Sequence, residues 1–112
     1  MNEEIDIFKA LDYLRDKAPE YAQAKANRVY LEEWRKSQKA ILMQKAQAKG
    51  VEALAAQERE AYADSEYQSL LHGIKEAVER EEKLRWMLIA AQAKIDAWRT
   101  LESSKRAEAK NI

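Results

Sequence analysis

The chain has 112 residues, with 20 Lys and Arg against 20 Asp and Glu, a single His and no Cys. Balanced charge excludes both the basic bulk of a general nucleic-acid binder and the acidic bulk of a nucleic-acid mimic. The lack of Cys removes disulfides, thiolate nucleophiles and thiolate metal ligands. With 2 Gly and 1 Pro in an Ala-, Glu-, Lys- and Gln-rich sequence, long helices are favoured.

The first segment, about Glu3 to Lys17, places Ile7, Phe8, Leu11, Leu14 and Ala18 at helical spacing, with acidic Glu3, Glu4 and Asp6 in the first turn. Pro19 disfavours helix in the residue before it and is tolerated at a helix start. The sequence therefore predicts a short helix over residues 1–18 and a second over 19–49, which Gly50 stops. On the second helix Tyr30, Leu31, Trp34, Ile41, Leu42 and Ala48 share one face. Tyr30 and Trp34 are expected in the core, since aromatics at helical spacing usually pack inward.

Residues 50–64 read as a connector, in which "ALAAQEREAYA" is either a short helix or a helical cap on the turn. Ser65 followed three residues later by Gln68 is a capping-box pattern. It predicts a long third helix over 65–104, with 105–112 as a frayed tail. In that helix Leu70, Ile74, Ala77, Glu81, Leu84, Leu88, Ala91, Ile95 and Trp98 alternate by four and three, a heptad seam with one charged member. Two long helices with facing seams make an antiparallel hairpin. If Lys49 and Ser65 flank the turn, Trp34 lies beside Arg80 and Glu81, and Tyr30 near Leu84. The expected fold is all-α: a long coiled-coil-like hairpin with a short N-terminal helix, forming one domain.

Charge supports that pairing. Residues 20–49 carry seven basic and three acidic groups, and residues 51–83 carry four basic and nine acidic. Arg28, Arg35 and Lys39 flank the apolar face of the second helix; their consumption by Glu79 and Glu82 would favour a protein partner, and an open stripe of them would favour DNA. The buried carboxylate Glu81 is expected to pair with Arg35 or Gln38. "LRWMLIAAQAKI", Leu84 to Ile95, is apolar on several sides. A single hairpin partner cannot cover Trp86, Met87 and Ile89 together with the seam, so self-association is expected. The surfaces assigned to core or self-association are Tyr30, Trp34, Leu84, Trp86, Leu88, Ile89, Ile95 and Trp98.

Catalytic chemistry has little to work with. His72 is alone, and position 69, where a di-metal bundle needs a Glu, is Ser. There is no phosphate-binding glycine loop, nucleophile elbow or zinc-ligand spacing. The sequence reads as non-enzymatic, with no metal, cofactor or small-molecule substrate. Its longest nearly apolar run, "WMLIAAQA", is far short of the roughly 20 residues that cross a bilayer, and "MNEEIDIF" is no secretory signal. A soluble cytoplasmic protein is expected. Candidate contacts to a nucleic acid or protein partner are Arg28, Arg35, Lys36 and Lys39, and near the end Arg99, Lys105 and Arg106.

The stretches "NRVYLEEWRKSQKAILM", "EREAYADSEYQSLLHGIKEAVEREEKLRWMLIAAQAKIDAWR" and "SSKRAEA" resemble a family of small uncharacterised proteins encoded by tailed bacteriophages and prophages, commonly near recombination genes. The resemblance spans about Ala24 to Ala109. It implies a protein made in the bacterial cytoplasm and acting as an accessory in phage recombination or replication, by engaging a protein partner or DNA. The alternative is a structural coiled coil or an inhibitor of a host factor that binds no nucleic acid.

Overall fold

In the computed structural model, which describes residues 4–111, the chain is an all-α helical hairpin. Helix α1 spans Ile7–Ala48, α2 spans Leu54–Ala63 and α3 spans Ser65–Lys110, with no strand among the described residues. The chain divides into two compact units, one of Met1–Ala22 with Glu82–Ile112 and one of Gln23–Glu81. Each unit contains a segment of α1 and a segment of α3.

Helix α1 does not break at Pro19, which corrects the two-helix expectation. Proline removes one backbone donor and crowds the carbonyl four residues back, a penalty of about 3 kcal/mol in a helix interior. Here Arg15 and Pro19 are both exposed, so water can serve the freed carbonyl. The covered face also holds its phase across the proline. Ala10, Leu14, Lys17, Tyr21, Ala24, Arg28, Leu31, Gln38 and Leu42 are all buried or half-buried and keep to one heptad frame. A break would have to reset that frame. On α3 the nine seam residues from Leu70 to Trp98 are likewise buried or half-buried.

Gly50 does end α1. At φ +99° it occupies a backbone region that side chains rarely tolerate. Val51 N–H donates to the Ala46 carbonyl at 3.1 Å and Gly50 N–H to that of Gln47 at 3.0 Å, the two bonds of a Schellman stop. The following loop is closed by buried Gln57, whose amide donates to the carbonyls of Val51 at 2.8 Å and Glu52 at 3.3 Å.

The start of α3 differs from the expected capping box. Asp64 is the cap: its backbone is extended, and its Oδ1 accepts from Glu66 N–H at 2.8 Å. Gln68 instead reaches back to the Tyr62 carbonyl at the end of α2, at 2.7 Å. Ala61 has no exposure and sits between buried Leu42 and Tyr67, with Met43 and Leu71 packed against them. This cluster seats α2 on α1 and α3 within the Gln23–Glu81 unit. At the other end α3 continues past 104 to Lys110, and residues 103–111 are all exposed. Pairs one turn apart, Glu102 with Lys105 and Ser103 with Arg106, line this last stretch.

Candidate functional site

The cations proposed as contacts are mostly engaged by the chain itself. Arg28 forks onto Glu81: Nε donates to one carboxylate oxygen and Nη2 to the other at 3.1 Å, while Nη1 donates to Glu32 at 3.0 Å. Glu81 is only 7 % exposed. A planar fork suits a carboxylate taken from water, because both oxygens are met at once. The hydrogen bond with Glu81 leads in holding the Arg28 guanidinium above its ordinary pKa range. The partner of Glu81 is thus Arg28, where Arg35 or Gln38 was expected, and Gln38 donates to Glu66 at 3.0 Å.

These pairs correct the register. Glu66 lies beside Gln38 and Glu81 beside Arg28, roughly two helical turns from the register that sets Trp34 beside Arg80. The physical reason is α2. It covers the last turns of α1 through Leu42, Ala61 and Tyr67, so α1 meets α3 earlier along its length than a simple turn from Lys49 to Ser65 would allow.

Lys39 is bound to α2. Its Nζ lies 3.2 Å from Glu58 and 4.8 Å from the centre of the Tyr62 ring, which in turn meets Tyr67 edge-on. Tyr62, and after it Glu58, hold the Lys39 ammonium above its ordinary pKa; Lys39 holds the Glu58 carboxylate below its own. The sign of the pH dependence follows. The raised lysine stabilises the fold fully below its unfolded pKa, and that part is lost as pH rises through the folded one. The depressed carboxylate stabilises above its unfolded pKa, and that part is lost as pH falls through the folded one. The urea midpoint of Lys39→Met should therefore lie below that of the native chain at neutral pH. The gap should narrow in acid below the carboxylate range, where Tyr62 alone still holds the ammonium, and close above the lysine range. A gap independent of pH would assign the loss to packing alone.

Of the remaining cations, Lys36 pairs with Glu33 at 3.2 Å, Lys105 with Glu102 at 3.4 Å and Arg99 with Asp96 at 3.9 Å, while Arg106 donates to the Ser103 hydroxyl at 3.3 Å. Glu82 pairs with Arg85 on its own helix at 2.8 Å. Arg35 is exposed and has no ion pair among the described residues.

The aromatics separate from the core. Tyr30 is 64 % exposed and Trp34 38 % exposed, which corrects their assignment as core. The covered stripe of α1 runs through Arg28, Leu31, Gln38 and Leu42, and at 100° per residue Tyr30 projects roughly opposite Arg28. Leu84, Leu88, Ile95 and Trp98 do lie on the covered face of α3. Trp86 and Ile89 do not. Trp86 is 59 % exposed with the Arg85 guanidinium 4.6 Å over its ring, and in the same unit Phe8 is 75 % exposed. Leu11 and Ile89 are exposed too. The apolar surface of the Met1–Ala22 and Glu82–Ile112 unit therefore extends well beyond its seam.

Among the described residues no cluster of three His, Asp or Glu is arranged to hold a metal ion, and no helix is long and apolar enough to cross a membrane. Neither a protein-family model, nor a curated protein, nor a solved structure matches the chain.

Proposed function

We propose that this chain is a non-enzymatic helical protein that works by docking onto protein, including a second copy of itself, through the apolar surface carrying Phe8, Leu11, Trp86 and Ile89. The carrying observation is an inversion of the usual surface. The bulkiest apolar side chains of one unit are among its most exposed, while most of the cations suited to phosphate contact are paired within the chain. Paired cations release few counterions on meeting DNA, which weakens the electrostatic term that drives such binding.

A second copy fits this surface in area and charge. The exposed parts of the four side chains amount to roughly 500 Å² per copy, so about 1,000 Å² in a symmetric pair, near the lower bound of specific interfaces. A two-fold interface presents the same patch twice. It can set the acidic N-terminal part of one copy's sequence (three basic and five acidic groups over residues 1–19) against the basic C-terminal part of the other's, with six basic and three acidic over 84–112. The resemblance to phage-encoded proteins supplies the context, an accessory of phage recombination or replication in the bacterial cytoplasm. A host factor is the alternative protein target.

Sedimentation equilibrium tests the reading. The native chain should be dimeric or larger at tens of micromolar, and Phe8→Lys with Trp86→Lys should be a folded monomer. A native chain that is only monomeric and captures no protein from infected cells, yet retains DNA at low salt, would overturn it.

A further inference from the structure

In the Gln23–Glu81 unit, exposed Trp34 and Ile41 stand on one side of α1, and Tyr30 lies close by. Gln23, Asn27 and Lys45 fall within about 20° of Trp34 around that helix. Contacts to these residues fix which side of α3 lies beside them. Glu66 accepts from Gln38 at 3.0 Å and has Lys45 at 4.0 Å, and Arg80 shares a groove of about 240 Å³ with Gln23 and Asn27. Glu66 and Arg80 lie seven residues before and after Gly73, so heptad steps put all three on that side of α3. Gly73 stands inside a 46-residue helix, where any residue but proline would favour the helix more. A Cβ at Gly73 would meet nothing within 4 Å, so the chain's own packing does not call for glycine. Close approach of another backbone does. The Arg80 guanidinium makes no hydrogen bond or ion pair among the described residues.

We propose that this face packs on the same face of a second copy, about a two-fold axis that runs across the helices at Gly73. Rotation about that axis reverses each helix and lays α3 on α3 and α1 on α1. Glu66 then meets Arg80 of the other copy, and Arg80 meets Glu66, because both stand seven residues from the axis. This reciprocal charge match is what selects a second copy as the occupant. Glu76, also on this side, comes opposite Ser69 of the other copy, whose hydroxyl can donate to it. Gly73 is midway between Glu66 and Glu81, the partners of Gln38 and Arg28, so Trp34 lies at its level on α1. The two Trp34 rings meet near the axis, and Tyr30 and Ile41 extend the apolar contact. The exposed parts of these three side chains amount to roughly 300 Å² per copy and about 600 Å² in the pair, under the size of a stable interface. The face therefore holds weakly by itself. It does not depend on the surface of Phe8 and Trp86, which belongs to the other unit; with both in use, copies join beyond a dimer.

The test is amide NMR of the full chain carrying Phe8→Lys and Trp86→Lys, diluted from millimolar to tens of micromolar. Signals of Gly73 and of the Trp34 indole should move with concentration. Glu66→Arg and Arg80→Glu should each weaken pairing about tenfold, yet an equimolar mixture of the two should regain it, since each then offers the charges the other needs. Gly73→Leu should abolish pairing while raising the thermal midpoint, which separates lost approach from lost folding. In sedimentation of the chain without the lysine substitutions, Gly73→Leu should remove species larger than a dimer. Signals that stay fixed on dilution, a mixture no better than either variant alone, or Gly73→Leu pairing as its parent does would overturn the assignment. Sedimentation of the native chain reads the Phe8 surface separately, so either reading can fail without the other.

Discussion

Replacing Glu81 by Ala is expected to lower the unfolding free energy by about 2 kcal/mol, read from urea denaturation of the native and variant chains. The loss comes from Glu81, a carboxylate that is almost fully covered and satisfied by both arms of the Arg28 fork. Breaking a wholly buried pair typically costs more, about 3–5 kcal/mol. The figure is smaller here because the Arg28 side chain keeps 24 % of its exposure and retains Glu32 as a partner. The double change Arg28→Met with Glu81→Leu is expected to restore stability to the native level or above it, since well-packed apolar groups replace a desolvated pair. What the double variant should lose is uniqueness of alignment. The chain has no cysteine, so Gln38→Cys with Glu66→Cys reports register through a short bis-maleimide crosslinker, which spans the reach of the Gln38–Glu66 side-chain pair. That crosslink should form more slowly when Arg28 and Glu81 are apolar. If Glu81→Ala is neutral and crosslinking is unchanged in the double variant, the fork neither stabilises nor aligns the hairpin.

The two long helices differed in how openly their sequences state their packing. Helix α3 was legible because Leu, Ile, Ala and Trp fall at alternating steps of four and three from Leu70 to Trp98, with Glu81 as the single charge. Those positions are the ones covered in the fold. Helix α1 carries a frame of the same period, interrupted at exposed Arg35, and its members include Lys17, Tyr21, Arg28 and Gln38. Long polar side chains can cover apolar surface with their stems while their heads find partners or water, so a pattern sought in apolar residues passes over them. The larger Tyr30, Trp34 and Ile41 drew the face toward themselves and carried the register with it. Pro19 is a local stop signal, but the covered frame crosses it unbroken and helix α1 follows the frame.

The helix ends differ in how locally they are determined. Gly50 was recognisable because few residues other than glycine adopt its backbone angle. At the start of α3, Asp64 and Ser65 are adjacent residues of similar capping strength. Which of them caps depends on where α2 ends, and that is a tertiary matter.

The placement of α2 is what displaces the hairpin register, and Tyr67 is the residue on which that placement turns. Tyr67→Ala is expected to lower the unfolding free energy by about 3 kcal/mol, in the range for truncating a buried aromatic ring. The ring is covered by Leu42 and Ala61, with Met43 and Leu71 beside them, and packs edge-to-face with Tyr62 at 5.2 Å between centres. A ten-residue helix is too short to persist in water by itself. Loss of this seat should therefore release α2 while α1 and α3 stay helical. Amide hydrogen exchange over Leu54–Ala63 should accelerate far more than exchange along Leu84–Ile95, and the pH-dependent contribution of Lys39 and Glu58 should fall with it. Tyr67→Phe keeps the ring and should lie within about 0.5 kcal/mol of the native chain. A Tyr67→Ala chain that loses less than about 1 kcal/mol, with α2 still protected, would place the support of α2 elsewhere, at Gln57 and the loop it closes.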